Sequence, residues 1–594
     1  MFFSKKKSAG DQPVKAPEPP STPPPQPSLD TDAKDVSPGT PPPKVNVTYP
    51  SGIKLFFLLI SVYVSLFLIS LDRLIVATAI PEITNEFNSV KDIGWYGSAY
   101  LLTNAAFQLM FGKVYTFFSV KGTFLISILL FEIGSAVCGA ATSSTVFIVA
   151  RAIQGLGAAG IMAGALTIIV YAIPLAKRPM YQGLVGAVFG ISSVLGPLVG
   201  GAFTTNVTWR WCFYINLPFG AIAFAFVAFL LKVPDRPETR IPLKDKILQL
   251  DLLGSAALLP GTVSLLLALQ WGGAEYEWSN ARIIALLTLA IALLIAFCLV
   301  QVYMPKTATI APHIFRRRSV VAAVWCTLCN GSSMLMFIYF IPVWFQAILA
   351  ASAISSGILL LPFCLPMVFS TILTGALTTR IGYYTPFLLA GTCFMSIGAG
   401  LLTTLDVSTP QRFPIGYQVL YGFGAGLSLQ APNLAAQTVL PRKDAPVGLT
   451  MVMFVQLLAG AVFLSVGQNV LNNRLIEYLA PIPGFSTKLL LNNGATTILE
   501  VLGEAQKPAV LSAYNEALRW VFRVGLIVIC LGVFGALAME WRNVKKPQEG
   551  SQGEAVEGKA EGKVEGKDVE DGEGKLEVVE GKERDEKKDE KVSI

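Results

Sequence analysis

Two charged residues stand inside apolar runs of this chain. Asp72 lies in LDRLIVATAIP and Arg151 opens RAIQGLGAAGIMAGALTIIVYA. If the first run is a helix that begins near Lys54, Asp72 sits about 27 Å along it. A charged side chain in hydrocarbon costs a few kcal/mol on insertion scales, and side chains retained at that cost mark ion pathways and proton relays. Two local readings compete. Arg151 is about two turns into its run, so it could snorkel to the headgroups, and Asp72 could pair with its neighbour Arg73. Glu132 is a third charged residue, and a second acid, inside an apolar run.

The stretch GISSVLGPLVGG poses a different problem, because glycine and proline weaken helices. Gly186 with Gly190, and Gly196 with Gly200, form small-xxx-small pairs that let a second helix approach to backbone distance. Pro197 removes one backbone hydrogen bond and permits a bend, and Gly201 closes the motif. These positions predict a tight seam between helices that seals one side of a cavity. Polar residues in later runs, Asn330, Gln346, Gln430, Asn433, Gln437 and Gln456, together with Gln154 and the aromatics Trp344, Phe345 and Tyr421, suit a wide amphipathic cavity for bulky organic molecules.

Other chemistries lack their residues. Cys326 and Cys329 form a CxxC inside an apolar run, without a second pair, so no zinc site is expected. His313 is the one histidine of the chain, which removes histidine-based triads, and no GxxxxGK[ST] loop is present. No cofactor, metal or enzymatic reaction is expected. The formal charge of +7 is scattered through short loops rather than gathered in a stripe, which argues against nucleic acid.

The elements that must carry these residues follow from composition. With 53% hydrophobic and 14% charged residues and a mean hydropathy of +0.57, most of the chain has lipid as its solvent. About fourteen apolar segments approach the roughly 20 residues needed to cross a bilayer. They lie near 54–80, 93–111, 121–141, 145–173, 181–203, 209–232, 250–270, 282–304, 319–345, 353–378, 384–404, 414–438, 446–468 and 519–541. An all-α transmembrane fold is expected. Residues 1–53 are rich in proline, and 546–594 repeat EGK-like units; both tails should remain disordered. No secretory signal is expected, since the first apolar run is too long for one.

Alternate loops differ in basic residues. One set holds Lys113, Lys121, Lys177, Arg178, Lys232, Arg236, Arg240, Lys244, Lys246, Lys306, Arg316, Arg317, Arg318, Arg380, Arg442 and Lys443. The other short loops hold only Lys91, Arg210, Arg282 and Arg412. The rich set should face the cytoplasm, with both tails. The loop 469–518 is then external, and Asn206 in NVT becomes a glycosylation candidate. GKVYTFFSVKG and GALTTRIGYY repeat a glycine, a basic residue and a small residue at similar offsets. Two related six-helix halves, 54–235 and 313–545, flank an inserted helix pair at 236–312, the parallel-repeat plan of a transporter.

The joint set of motifs LDRLIVATAIP, GKVYTFFSVKG, RAIQGLGAAG, GISSVLGPLVGG and DLLGSAALLPGTVSLLLALQWGG resembles the major facilitator superfamily, in particular its fourteen-span drug:H+ antiporter-2 branch and fungal toxin and secondary-metabolite efflux pumps. The resemblance implies the major facilitator fold, with two six-helix halves plus two inserted helices, and export rather than uptake. It implies proton coupling at Arg151 and Asp72, with Gln154 beside them, and a gating role for the glycine motif. In the first loop motif Thr116 replaces the usual acid and Ser119 the second glycine, leaving Gly112, Lys113 and Lys121. The second copy keeps Gly375, Arg380 and Gly382. The expected partners are protons, a small organic substrate and the bilayer, with a monomeric protein in the plasma membrane or, alternatively, the vacuolar membrane. A siderophore or basic amino acid as substrate, or a transport-inactive sensor, are the rival readings. The loop asymmetry has a direct consequence: epitope tags at residues 30 and 560 should be reached only after permeabilisation, and a tag at residue 494 on intact cells. Opposite sidedness of the two tails would rule out an even number of spans.

Overall fold

A computed structural model of the chain describes residues 52–89, 92–231, 237–273, 276–305, 307–481 and 506–545. The expected tails, Lys91, Lys232, Arg236 and Lys306 lie outside the described residues, except for positions 52 and 53. In lipid no water is present to satisfy backbone N–H and C=O groups, so each apolar run closes its own hydrogen bonds as a helix. The long helices are α1 (Gly52–Phe87), α2 (Ile93–Phe117), α3 (Val120–Gly139), α4 (Ser144–Ala172) and α5 (Arg178–Asn206). They continue as α6 (Asn216–Leu230), α7 (Leu252–Trp271), α8 (Ala281–Tyr303), α9 (Arg318–Leu349) and α10 (Leu361–Ile381). The last are α11 (Thr385–Leu402), α12 (Arg412–Leu429), α13 (Ala431–Val439), α14 (Ala445–Leu479) and α15 (Lys507–Ala538).

Among the described residues, 12 helices are long and apolar enough to cross a membrane. Two helices at expected spans fall outside that set. α2 carries Asn104, Gln108 and Lys113, and the twelfth segment breaks at Gln430 into α12 and α13. Ile284, Ile291, Ile295 and Leu299 on α8 are exposed, an apolar surface suited to lipid rather than water.

Two of the buried apolar cores are the largest among the described residues. One gathers buried residues between Leu58 and Leu231, the other between Met336 and Ile529. A smaller one joins Leu109 and Leu166 to Val447 and Met451. The two large cores meet along a seam built on glycines. A methyl group at Gly183 of α5 would lie 2.8 Å from the Thr371 carbonyl oxygen of α10, and one at Gly375 would lie 2.6 Å from the Pro179 carbonyl oxygen. Gly112 of α2 meets α14 in the related way, against Val447 and Thr450. Both partner helices start with a proline in their first turn, Pro179 and Pro446. The two loop motifs therefore place their first glycines at matching contacts. Gly382 ends α10 at φ +91°, a conformation that favours glycine.

The seam lies at the end of the bundle where the basic loops gather. Lys113 donates to the Thr307 carbonyl (3.4 Å), Arg442 to the Tyr171 carbonyl (3.2 Å), and His313 bonds Asp444 (2.9 Å). Lys545 donates to the carbonyl of Arg380, whose side chain is exposed, and Lys121 is half-buried. The first residue of DLLGSAALLPG caps α7: Asp251, buried at φ +53°, accepts from Gly254 N (2.9 Å), Gln301 Nε2 (2.6 Å) and Thr309 Oγ1 (2.8 Å). One carboxylate thus ties α7 to α8 and the segment after it.

Three expectations change. The segment 469–518 is not loop throughout, since α14 runs to Leu479 and α15 starts at Lys507. Leu471, Leu475 and Leu479 are buried with Val510, Tyr514 and Leu518, and Trp520 donates to Tyr478 Oη (2.8 Å), so the two helices support each other past the expected bilayer edge. The glycines of α5 also divide between partners. Gly186 and Gly190 face Thr371 and Val368 of α10, whereas Gly196 and Gly200 face Leu74, Ile75 and Thr78 of α1, within the first core's own group of helices. Gly201 has nothing within 4 Å, and the helix continues through Pro197, which is exposed. Finally, Trp344, Phe345 and Tyr421 are buried in the second core, with Trp344 donating to Asn515 (2.8 Å). Asn206 is exposed as the last residue of α5, its amide bonded to the Ala202 carbonyl (3.0 Å).

The seam predicts a contrast between two glycines. Gly375→Val meets backbone atoms that cannot yield and should destabilise the packed arrangement by about 1–3 kcal/mol. Gly201→Val should change nothing. Melting temperatures of the purified variants in detergent measure both.

Candidate functional site

Asp72 and Arg151 come together. Asp72 is wholly buried and Arg151 is 1% exposed; Arg151 Nη1 donates to Asp72 Oδ2 at 2.5 Å. Neither local alternative holds, since Arg151 does not reach the surface and Asp72 is not paired with Arg73. Helix geometry explains the choice. Successive residues point about 100° apart, so Asp72 and Arg73 leave α1 on different faces.

Gln154 bridges the pair. It accepts from Arg151 Nη1 (2.7 Å) and donates to Asp72 Oδ1 (2.8 Å), one turn along α4 from the arginine. Asn216 of α6 donates to the same Asp72 oxygen (3.4 Å) and to Ser135 Oγ of α3 (2.9 Å). Arg151 Nε donates to the Tyr96 carbonyl of α2 (3.0 Å), and its guanidinium carbon lies 4.5 Å from the Tyr100 ring centroid. Five helices meet in this network, and α4 and α6 donate directly to the carboxylate of α1. Burying an ion pair is tolerated only when further hydrogen bonds support it, and here both carboxylate oxygens of Asp72 and two nitrogens of Arg151 have partners. Protonation of Asp72 would remove the anion opposite Arg151 and leave a guanidinium without its counter-charge.

A cavity of about 190 Å³ lies on the other side of Tyr100. α1 contributes Ile69 and Arg73, α2 Tyr100 and Asn104, and the later helices Gln430, Asn433 and Gln456. Its remaining walls are largely apolar and include Met162, Met334, Met367 and Met453. Methionine adapts its shape to irregular partners, which suits bulky and variable ligands. Tyr100 is therefore shared: one face touches the buried pair and the ring also lines the cavity.

The Major Facilitator Superfamily profile matches residues 62–464. The chain belongs to the major facilitator superfamily. An "MFS-type transporter" of Claviceps purpurea is 51% identical over 86% of this chain and 89% of its own length. The "Efflux pump aflT" of Aspergillus parasiticus is 46% identical over 84% of this chain and 97% of its own. Among solved structures, the proton:xylose symporter XylE shares the fold, with a TM-score of 0.52 over 81% of this chain and 94% of that one, at 14% identity.

In this major facilitator protein the cavity candidates separate. Gln430, Asn433 and Gln456 line the cavity, and Asn433 donates to Gln430 (3.3 Å). Gln154 belongs to the ion pair instead. Gln346 donates to Ser356 (2.9 Å) outside the cavity, Gln437 is buried elsewhere, and Asn330 lines a smaller neighbouring void. Glu132 is buried against Gly220 of α6 and does not line the cavity. Cys326 and Cys329 are both buried free thiols, and among the described residues no group of three possible metal ligands occurs. Sequence reasoning missed Asn216, Ser135, Tyr100 and Asn104. The first two are ordinary polar residues in apolar runs, and only the bundle shows which of them meet Asp72.

The network predicts strong coupling. Arg151→Ala or Asp72→Ala alone should each cost about 3–5 kcal/mol, because the surviving charge is left buried and unpaired. The double variant should lose clearly less than the sum. Thermal unfolding of the four proteins in nanodiscs gives the coupling; additive losses would show that the pair contributes nothing as a pair.

Proposed function

We propose that this chain is a proton-coupled efflux transporter that exports a toxin, secondary metabolite or related organic compound across a fungal membrane. The observation that carries this reading is the buried Asp72–Arg151–Gln154 network sharing Tyr100 with a central cavity of mixed polarity. When Asp72 takes a proton, Arg151 loses its partner and the helices it gathers can rearrange. The seam of α2 with α14 and of α5 with α10 is the element that this rearrangement opens and closes, so that the cavity faces alternate sides. Gly112, Gly186, Gly190 and Gly375 let the seam close tightly, and Gly196 and Gly200 hold α5 to α1, which carries Asp72. A movement at the pair is thereby transmitted to the seam.

The helix positions support fourteen spans: two six-helix halves and the peripheral pair α7–α8. The efflux direction rests on the GISSVLGPLVGG motif and on the name of the Aspergillus relative. We place the protein in the plasma membrane as a monomer, with both tails and the basic loops in the cytoplasm and Asn206 as its external glycan acceptor.

Energy supply tests the proposal. In inside-out vesicles that carry the protein, a fluorescent aromatic substrate should accumulate when a proton gradient is imposed without ATP, and accumulation should collapse with a protonophore. Asp72→Asn should abolish it. Uptake that persists without any gradient would identify facilitated diffusion instead.

A further inference from the structure

The cavity holds a cation that the network does not use. Arg73 lines the cavity with Ile69, four residues earlier on the same face of α1. Its neighbour Asp72 is held by Arg151, and among the described residues no hydrogen bond or ion pair holds the Arg73 guanidinium. Placing a guanidinium at this depth costs a few kcal/mol, and among the described residues no acid is paired with Arg73 to offset that cost. The surrounding groups are also informative. Asn104, Gln430, Asn433 and Gln456 are neutral amides, and Met162, Met334, Met367 and Met453 form a soft apolar wall. Among the described residues no carboxylate lines this cavity.

We infer that Arg73 is the substrate-recognition residue of the cavity and that the exported compounds are amphipathic organic acids bound through a carboxylate. The inference rests on the efflux reading and narrows its substrate class. The planar guanidinium presents paired N–H donors that match the two oxygens of a carboxylate, and in a low-dielectric cavity such a charge-assisted pair is strong. The acid's apolar body then lies against the methionines, and the amides take its hydroxyl or carbonyl groups. A cationic compound would meet Arg73 with no acid to balance it. The adjacency of Arg73 to Asp72 also means that one helix carries both the substrate's counter-charge and the proton's acceptor. Substrate and proton therefore act on the same element.

The test uses the full-length protein in nanodiscs and two probes of nearly equal shape, anthraquinone-2-carboxylate and its neutral carboxamide, measured by equilibrium dialysis at pH 7.5. The wild type should bind the acid at least about tenfold more tightly than the amide, a difference of about 1.4 kcal/mol. Arg73→Gln should erase that preference by weakening the acid alone, and Arg73→Lys should retain part of it. Unchanged amide binding by Arg73→Gln also shows that the variant is folded. Equal affinity of the wild type for both probes, binding of neither, or a parallel loss of both in Arg73→Gln would overturn the assignment. Gradient-driven vesicle uptake separates the two readings. A preference for the acid in nanodiscs without uptake of either probe would sink the efflux reading and leave the Arg73 site standing. Uptake of the amide as fast as the acid would do the reverse.

Discussion

The arrangement depends on one constraint: a carboxylate and a guanidinium buried in a lipid-embedded bundle must compensate each other's charge. Asp72 and Arg151 meet through a direct bond, Gln154 and Asn216 donate to the other carboxylate oxygen, and the Tyr96 carbonyl accepts from Arg151 Nε. Because those groups come from α1, α2, α4 and α6, with Ser135 of α3 behind Asn216, the pair fixes how the first group of helices meets. In the proposed mechanism a proton on Asp72 is a structural event. Removing one unit of charge changes the balance of five helices, and the cost of an unpaired buried ion is large beside the few kcal/mol that separate two conformations.

In the proposed mechanism glycine carries that change outward. On α5 the glycines nearest the basic loops touch α10, and those nearer the other end touch α1. The helix thus binds the acid-bearing helix with one stretch and the opposite core with another. In lipid there is little hydrophobic drive between helices, so packing at backbone distance supplies the contact. Gly112 with α14 and Gly375 with α5 make related close contacts, each against a helix that starts with a proline in its first turn.

Much of this was legible in the amino-acid order. Apolar run length located the helices, and the cost of intramembrane charge singled out Asp72 and Arg151. What remained hidden shares one physical cause. Along a helix, adjacent residues point in different directions, and the bundle decides what each direction meets. Arg73 read as a possible partner for Asp72, yet it faces the cavity. Gln154 read as a cavity residue, yet it belongs to the ion pair. Trp344 and Tyr421 read as cavity aromatics, yet they fill a core. The helical extensions of α14 and α15 escaped notice because their mixed polarity lies beyond the lipid-length run, where only mutual packing of Leu475, Tyr478, Tyr514 and Trp520 reveals them.

The central claim is that protonation of Asp72 moves the seam. The most direct measurement is the distance between spin labels at Lys177 and Arg380, exposed positions beside the facing ends of α5 and α10, as a function of pH in nanodiscs. The account predicts that lowering the pH shifts the wild-type population toward longer distances, and that Asp72→Asn gives one distribution at every pH. A pH-dependent shift of equal size in Asp72→Asn would contradict it.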